Sequence, residues 1–157
     1  MIEDDIAFLE RVPSFSMLGR DALRILAIGA EARYVHGGEV LFRAGDSADG
    51  GYVVYEGSFT LMPDSSDPNP PEITVAHGAL LGEFALLTET VRPVTAIANE
   101  PSTVMRIPRS LFLKMLEGYP DAASRLRDHL ARRAEQTAKD IVAVRAALDP
   151  ERGGGQS

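Results

Sequence analysis

The residues of this chain that are best suited to binding chemistry lie close together, between Gly82 and Arg92. Gly82 precedes a short predicted helical turn, and the free backbone N–H groups at the start of such a turn attract an anion. Glu83 offers two carboxylate oxygens to a ribose hydroxyl, and the planar guanidinium of Arg92 matches a phosphate. These residue types predict a sugar-phosphate pocket. The alternative that they leave open is an internal Glu83–Arg92 ion pair without any ligand.

Catalytic and metal chemistries find little support in the sequence. The chain has no cysteine, which excludes disulfides, thiolate metal sites and a cysteine nucleophile. The histidines, His36, His77 and His129, do not occur at the spacing of a metal site, so a cupin-like metalloenzyme is disfavoured. No serine has a base at the spacing of a hydrolase motif. We therefore expect no enzyme activity and no required cofactor. His77, in the turn before residue 82, is one candidate for the mouth of the pocket.

The composition is that of a soluble globular domain. The chain has 157 residues, of which 45% are hydrophobic and 25% are charged. Its formal net charge of −7 disfavours a nucleic-acid partner, because phosphate backbones repel an acidic protein. The sequence has no apolar run long enough for a transmembrane helix, and its acidic start is unlike a signal peptide. A cytoplasmic and bacterial location without membrane contact is the resulting expectation.

The order of the predicted elements indicates the fold class. Residues 1–30 are predicted to be helical. Residues 31–108 contain short β-rich runs separated by glycine turns, a pattern typical of a sandwich or barrel. Residues 109–148 are helical again, beginning with a helix capped by Ser110, and residues 149–157 form a flexible tail. The sequence thus predicts a mainly β fold, a jelly-roll-like β-roll with N-terminal helices and a long C-terminal helix.

The predicted C-terminal helix carries a stripe of residues at alternating spacings of four and three. Two arrangements are compatible with this pattern. The helix packs on its own β-roll, or it pairs with the same helix of a second copy to form a homodimer. The stripe consists of Leu130, Ala134, Thr137, Ile141, Val144 and Leu148.

Several motifs together resemble the cyclic-nucleotide-binding domain of the catabolite activator and protein kinase A regulatory-subunit family. The run of residues 82–87 followed by Arg92 is similar to that family's phosphate-binding cassette, which corresponds here to residues 81–95. The resemblance covers residues 8–148 and implies the family's β-roll fold. The supporting motifs are Val12-Pro13-Ser14-Phe15, Gly45-Asp46, Tyr52-Val53-Val54, Gly57-Ser58 and Arg109-Ser110-Leu111-Phe112.

The resemblance also implies a role for each matching residue. Glu83 would accept a hydrogen bond from the ribose 2′-hydroxyl, and Arg92 would pair with the cyclic phosphate. The backbone N–H groups of Gly82 and Ala85 would help to hold the sugar and the phosphate, and the C-terminal helix would cover the base. The ligand-binding residues expected from the resemblance are Gly82, Glu83, Phe84, Ala85, Arg92, Pro93 and Val94.

Pro93 departs from the pattern of the family that the chain resembles. The residue after the cassette arginine usually donates its backbone N–H to the phosphate, and proline has no N–H. The loss of one charge-assisted hydrogen bond of about 1.5–3 kcal/mol would lower the affinity by about one to two decades. In cGMP-selective members a threonine at this position contacts the guanine, so Pro93 favours cAMP over cGMP.

The sequence therefore predicts a regulatory module for signal transduction that binds a cyclic nucleotide, cAMP rather than cGMP. It shows no recognisable catalytic or helix-turn-helix segment, so its output is expected to pass through an unknown protein partner or through the geometry of a dimer. The alternative, which Pro93 favours, is a ligand-free, degenerate form of the fold that serves as a protein-interaction and dimerisation domain.

Overall fold

The computed structural model describes residues 1–64, 68–69 and 71–133 of the chain. Within these residues helices flank a central β region, which confirms the predicted fold class. The helices are α1 (Ile2–Glu10), α2 (Arg20–Gly29), α3 (Arg109–Gly118) and a last helical stretch at residues 120–133, called the C-terminal helix below.

Short antiparallel strands form the β region, and in the described part of the chain they make two four-stranded sheets and one two-stranded ribbon. In chain order the strands are β1 (Glu31–Val35), β2 (Val40–Phe42), β3 (Ser47–Ala48), β4 (Gly50–Glu56), β5 (Ser58–Pro63), β6 (Ile73–Ala76), β7 (Leu80–Leu81), β8 (Thr90–Val91), β9 (Val94–Ala98) and β10 (Ser102–Pro108). The strand orders are β1-β10-β4-β7, β2-β9-β5-β6 and β3-β8. Neighbours that are distant in sequence, such as β1 and β10, are typical of a jelly roll.

Strand β4 lies between two hydrophobic cores, because successive side chains of a strand point to opposite faces of the sheet. Val53 faces the helices and packs in one core with Ile107 of β10. Tyr52 and Val54 face the interior of the roll and pack in a second core, which includes the fully buried Phe59. The alternation along β4 therefore places the side chain of Tyr52 inside the roll.

Three strands of only two residues each were not predicted from the sequence. These are β3, β7 and β8, and two residues are too few to show the alternation that indicates a strand. β7 pairs with β4, and β8 pairs with β3. The two ends of the segment between β7 and β8 are thus attached to different sheets.

The C-terminal region differs from the prediction in one detail. Helix α3 begins at Arg109 with Pro108 at the N-cap position, so the prediction that Ser110 caps this helix is wrong. Leu130 of the C-terminal helix is half-buried and packs against the core between the helices and the sheet. The other five positions of the predicted stripe lie outside the described residues, so pairing with a second copy stays a prediction.

Candidate functional site

The 81–95 cassette connects the first sheet to the second through a single turn of 3-10 helix at Phe84–Leu86. One such turn presents fewer free backbone donors than a full α-helix. The N–H of Ala85 is already engaged, because it donates to the carbonyl of Gly82 at 3.1 Å. The expected role of the Ala85 N–H in holding a ligand would therefore require this hydrogen bond to be shared or exchanged.

Gly82 has a backbone conformation and a location that both require glycine. Its φ angle is +90°, a left-handed value that other residues rarely adopt. A Cβ atom added to Gly82 would lie 2.4 Å from Nη1 of Arg92 and 3.2 Å from the carbonyl oxygen of Gly50. The backbone of Gly82 therefore packs directly against the guanidinium that the sequence analysis assigned to the phosphate.

The guanidinium of Arg92 is buried inside the roll. The residue is only 4% exposed, and its Cζ lies 4.5 Å from the ring centroid of Phe42 and 5.4 Å from that of Tyr52. Its backbone is fixed, since its N–H donates to the carbonyl of Asp46 and its own carbonyl accepts from the N–H of Gly45, both at 2.8 Å. Nη1 has no hydrogen-bond partner among the described residues.

The nearby carboxylates do not neutralise Arg92. Asp49 pairs with Arg106 at 2.8 Å, and Asp46 accepts the backbone N–H of Arg43 at 3.0 Å. In the described part of the chain Arg92 forms no ion pair. Burial lowers the pKa of the Arg92 guanidinium, whereas the nearby Tyr52 and Asp49 raise it. The result is a positive charge held in the interior of the roll with one nitrogen unpaired.

Glu83 binds partners other than Arg92. Its carboxylate accepts a hydrogen bond from the hydroxyl of Ser14 and forms an ion pair with Arg133 of the C-terminal helix. The Glu83 side chain is 14% exposed, whereas that of Arg133 is 54% exposed. An internal Glu83–Arg92 ion pair, the alternative left open by the sequence, is therefore absent from this structure.

A cavity of about 710 Å³ adjoins Glu83. It lies between the segment after α1, the turn from β6 to β7, and the C-terminal helix. His77 lies in this lining, near Glu83, and its Nδ1 is 2.8 Å from the carbonyl oxygen of Tyr55. The polar and charged side chains of the lining are those of Arg11, Ser14, His77, Glu83, His129 and Arg133.

The remaining expected site residues differ widely in exposure. Phe84 is 63% exposed at the surface of the cassette, whereas Ala85 is buried beneath it. Pro93 is exposed between β8 and β9. Val94 is half-buried and packs against the core inside the roll. The structure therefore brings Gly82 and Arg92 together, whereas the side chain of Phe84 is exposed at the surface.

Arg109, the first residue of α3, ties that helix to the cassette. Its Nη1 lies within hydrogen-bond distance of three carbonyl oxygens, those of Ala48 at 3.0 Å, Ala85 at 3.1 Å and Thr88 at 3.0 Å. Two of these carbonyls belong to the cassette. Because the bonds link backbone to the start of a helix, a displacement of the cassette would be transmitted to α3.

Four residues around the site were missed by the sequence analysis or given another role. The sequence analysis assigns neither Tyr52 nor Phe42 to the binding site, although both rings contact Arg92. The alternation of strands β2 and β4 is the signal that could have placed both rings inside the roll. Ser14 and Arg133 were not assigned to Glu83, and no local spacing indicates that contact.

The described residues also bear on metal binding and on membrane-spanning helices. The described part of the chain contains no group of three or more metal-ligating His, Cys, Asp or Glu residues. Among the helices described, none is both long and apolar enough to cross a membrane.

Two solved structures have a fold similar to that of this chain. A cyclic nucleotide-binding-like protein from Brucella abortus is 41% identical, and the match covers 73% of this chain and 98% of that one with a TM-score of 0.64. The N-terminal domain of a transcriptional regulator from Streptomyces coelicolor is 27% identical, with 85% and 94% of the two chains covered and a TM-score of 0.77.

Among curated proteins, lysophospholipase nte1 of Neurospora crassa is 30% identical over 100 residues, which are 63% of this chain but 7% of that protein. This chain thus spans only a small part of the length of the curated relatives it matches. The sequence profile of the cyclic nucleotide-binding domain matches residues 32–119. This stretch contains four of the five residues of β1, strands β2 to β10, the cassette and α3. The chain belongs to the cyclic nucleotide-binding domain family.

Proposed function

We propose that this chain binds a 3′,5′-cyclic nucleotide, cAMP in preference to cGMP, and that it acts as a regulatory module rather than as an enzyme. The observation that carries this proposal is the buried guanidinium of Arg92, whose Nη1 has no acceptor among the described residues. A buried charge is costly unless it is paired. A cyclic phosphate brings one negative charge and two free oxygens, and it therefore suits this position in both charge and hydrogen bonding.

Glu83 supplies the second contact of the proposed site, to the ribose 2′-hydroxyl. Its carboxylate is engaged by Ser14 and Arg133. A ribose hydroxyl that donates to Glu83 would share or displace these partners. Because Ser14 belongs to the N-terminal segment and Arg133 to the C-terminal helix, binding at Glu83 would alter how both segments contact the cassette.

The preference for cAMP rests on Pro93. A proline has neither a backbone N–H nor a side-chain hydroxyl, so it offers no donor to a guanine or to the phosphate. Pro93 is exposed at the edge of the site. The base is therefore expected to be held by apolar and stacking contacts, which do not require the hydrogen-bonding groups of guanine.

A ligand-free interaction domain is the second candidate function. Pro93 favours it because a phosphate would lack one backbone donor, and the engagement of Glu83 by Ser14 and Arg133 favours it as well. In this case the cassette supports the fold and binds no ligand. The protein would then act through its surface, with a homodimer through the C-terminal helix as the first arrangement to examine.

Calorimetric titration with cAMP, cGMP and 5′-AMP distinguishes the two candidates. The proposal expects saturable binding of one cAMP per chain, weaker binding of cGMP, and no comparable binding of 5′-AMP, which lacks the cyclic phosphate. The absence of heat and of thermal stabilisation with all three ligands at millimolar concentration would favour the interaction domain. Sedimentation of the same preparation then establishes whether the chain is a dimer.

A further inference from the structure

Two aromatic rings form the immediate surroundings of the Arg92 charge. The guanidinium carbon is 4.5 Å from the centroid of Phe42 and 5.4 Å from the centroid of Tyr52. The two rings are nearly parallel, with an interplanar angle of 28° and centroids 6.0 Å apart. Phe42 is 8% exposed and Tyr52 is 6% exposed. A cation this close to buried ring faces is attracted by their quadrupoles.

The rings belong to strands outside the cassette, although Tyr52 pairs with Leu81, the first residue of the cassette. Phe42 ends β2 and pairs with Ala96 of the second sheet, whereas Tyr52 belongs to β4 of the first sheet. The hydroxyl of Tyr52 accepts a hydrogen bond from Nη1 of Arg33 at 3.1 Å, which fixes the direction of the ring. Both sheets therefore contribute to a preformed aromatic surface against which Arg92 lies.

An aromatic ring beside Arg92 leaves the guanidinium able to bind an anion, whereas a carboxylate in the same place would not. A carboxylate beside Arg92 would occupy N–H donors and cancel the charge, and a phosphate would have to compete with it. Asp49 and Asp46 are acidic residues whose charge acts on Arg92, and both bind other donors. The ring faces stabilise the cation while leaving Nη1 without a hydrogen-bond partner among the described residues.

We propose that Phe42 and Tyr52 are positioning residues for the phosphate anchor, which hold the Arg92 guanidinium in its binding orientation through their ring faces. Preorganisation lowers the ordering cost of binding, so this arrangement offsets part of the loss caused by the missing N–H of Pro93. The effect on ligand affinity rests on the proposed function. The interaction between the rings and Arg92 does not, because it exists in the ligand-free protein.

The first experiment is a double-mutant cycle on the unfolding of the ligand-free protein in urea, with Phe42→Leu and Arg92→Met. Phe42→Leu keeps an apolar side chain but removes the ring face, and Arg92→Met keeps the length but removes the charge. We expect the Phe42→Leu change to reduce the folding equilibrium constant by about twofold to thirtyfold more when Arg92 is present than in the Arg92→Met background. Equal losses of stability in both backgrounds would show that Phe42 contributes only through apolar packing, and would overturn the proposal.

The second experiment measures cAMP affinity and uses Phe59→Leu as the matched control. Phe59 is fully buried in the same core inside the roll. In the described part of the chain the rings that make cation–π contacts with Arg92 are those of Phe42 and Tyr52. We expect Phe42→Leu to weaken binding at least about fivefold, and Phe59→Leu to leave the affinity of the folded protein within about twofold. Equal affinities of the two variants would contradict the positioning role. If the wild type does not bind cAMP, the proposed function fails, and the unfolding cycle still decides whether the rings hold Arg92.

Discussion

Glu83 and Arg92, two charged residues of the cassette, do not pair with each other. The Glu83 carboxylate binds Ser14 and Arg133, and the Arg92 guanidinium lies buried beside aromatic rings with Nη1 unpaired. Glu83 and Arg92 can therefore each contact a different part of a sugar phosphate. The following predictions depend on this separation.

Replacing Pro93 by alanine restores a backbone N–H next to Arg92. If that N–H points to the phosphate, cAMP affinity should rise by about one to two decades, the value of one hydrogen bond to a charged group. Titration calorimetry of wild type and Pro93→Ala measures this change. An unchanged or reduced affinity, with an unfolding transition like that of the wild type, would mean that this position does not face the phosphate.

Replacing Gly82 by alanine should disrupt the site because the new Cβ would lie 2.4 Å from Nη1 of Arg92. Gly38→Ala is the matched control, since its φ of +85° is similar and a Cβ there meets nothing within 4 Å. Both variants should lose about 1–2 kcal/mol of stability from backbone strain. Only Gly82→Ala should also lose cAMP binding, by more than about tenfold. Equal binding by the two variants would contradict the packing of Arg92 on Gly82.

Replacing Ser14 by alanine removes one of the partners that hold Glu83 in the ligand-free protein. We expect cAMP to bind about three to ten times more tightly, less than a full charged hydrogen bond would give, because Arg133 still holds the carboxylate. Ser16→Ala is the control, since that hydroxyl is exposed and donates only to the carbonyl of Pro13. Fluorescence competition with a labelled cyclic nucleotide compares the three proteins. Weaker binding by Ser14→Ala would show that Ser14 supports the bound state instead.

Much of the fold could be predicted from the sequence because its signals are local. Alternating strands and glycine turns indicate a β-roll, and each of these signals spans only a few residues. The cassette was also recognised locally, since the run from Gly82 to Arg92 is contiguous. The two-residue strands were missed because they are too short to show a pattern, although β7 and β8 fix the ends of the cassette.

The partners of the charged residues could not be predicted, because they are distant in sequence. Ser14 and Arg133 lie 69 and 50 residues from Glu83, at opposite ends of the domain. Phe42 and Tyr52 come from different sheets, and only the closure of the roll brings them to Arg92. Arg133 contacts Glu83 although its side chain is 54% exposed, so a surface position in the helix does not exclude this contact.

The most direct test of the account is a comparison of the wild type and Arg92→Met by calorimetric titration with cAMP and by urea unfolding without ligand. The account predicts that the wild type binds one cAMP per chain and that Arg92→Met loses at least about a hundredfold in affinity. It also predicts that ligand-free Arg92→Met is as stable as the wild type or more stable, because replacing a buried, incompletely paired charge with an apolar side chain removes its desolvation cost. Binding by Arg92→Met with the affinity of the wild type would contradict the assignment of Arg92 as the phosphate anchor.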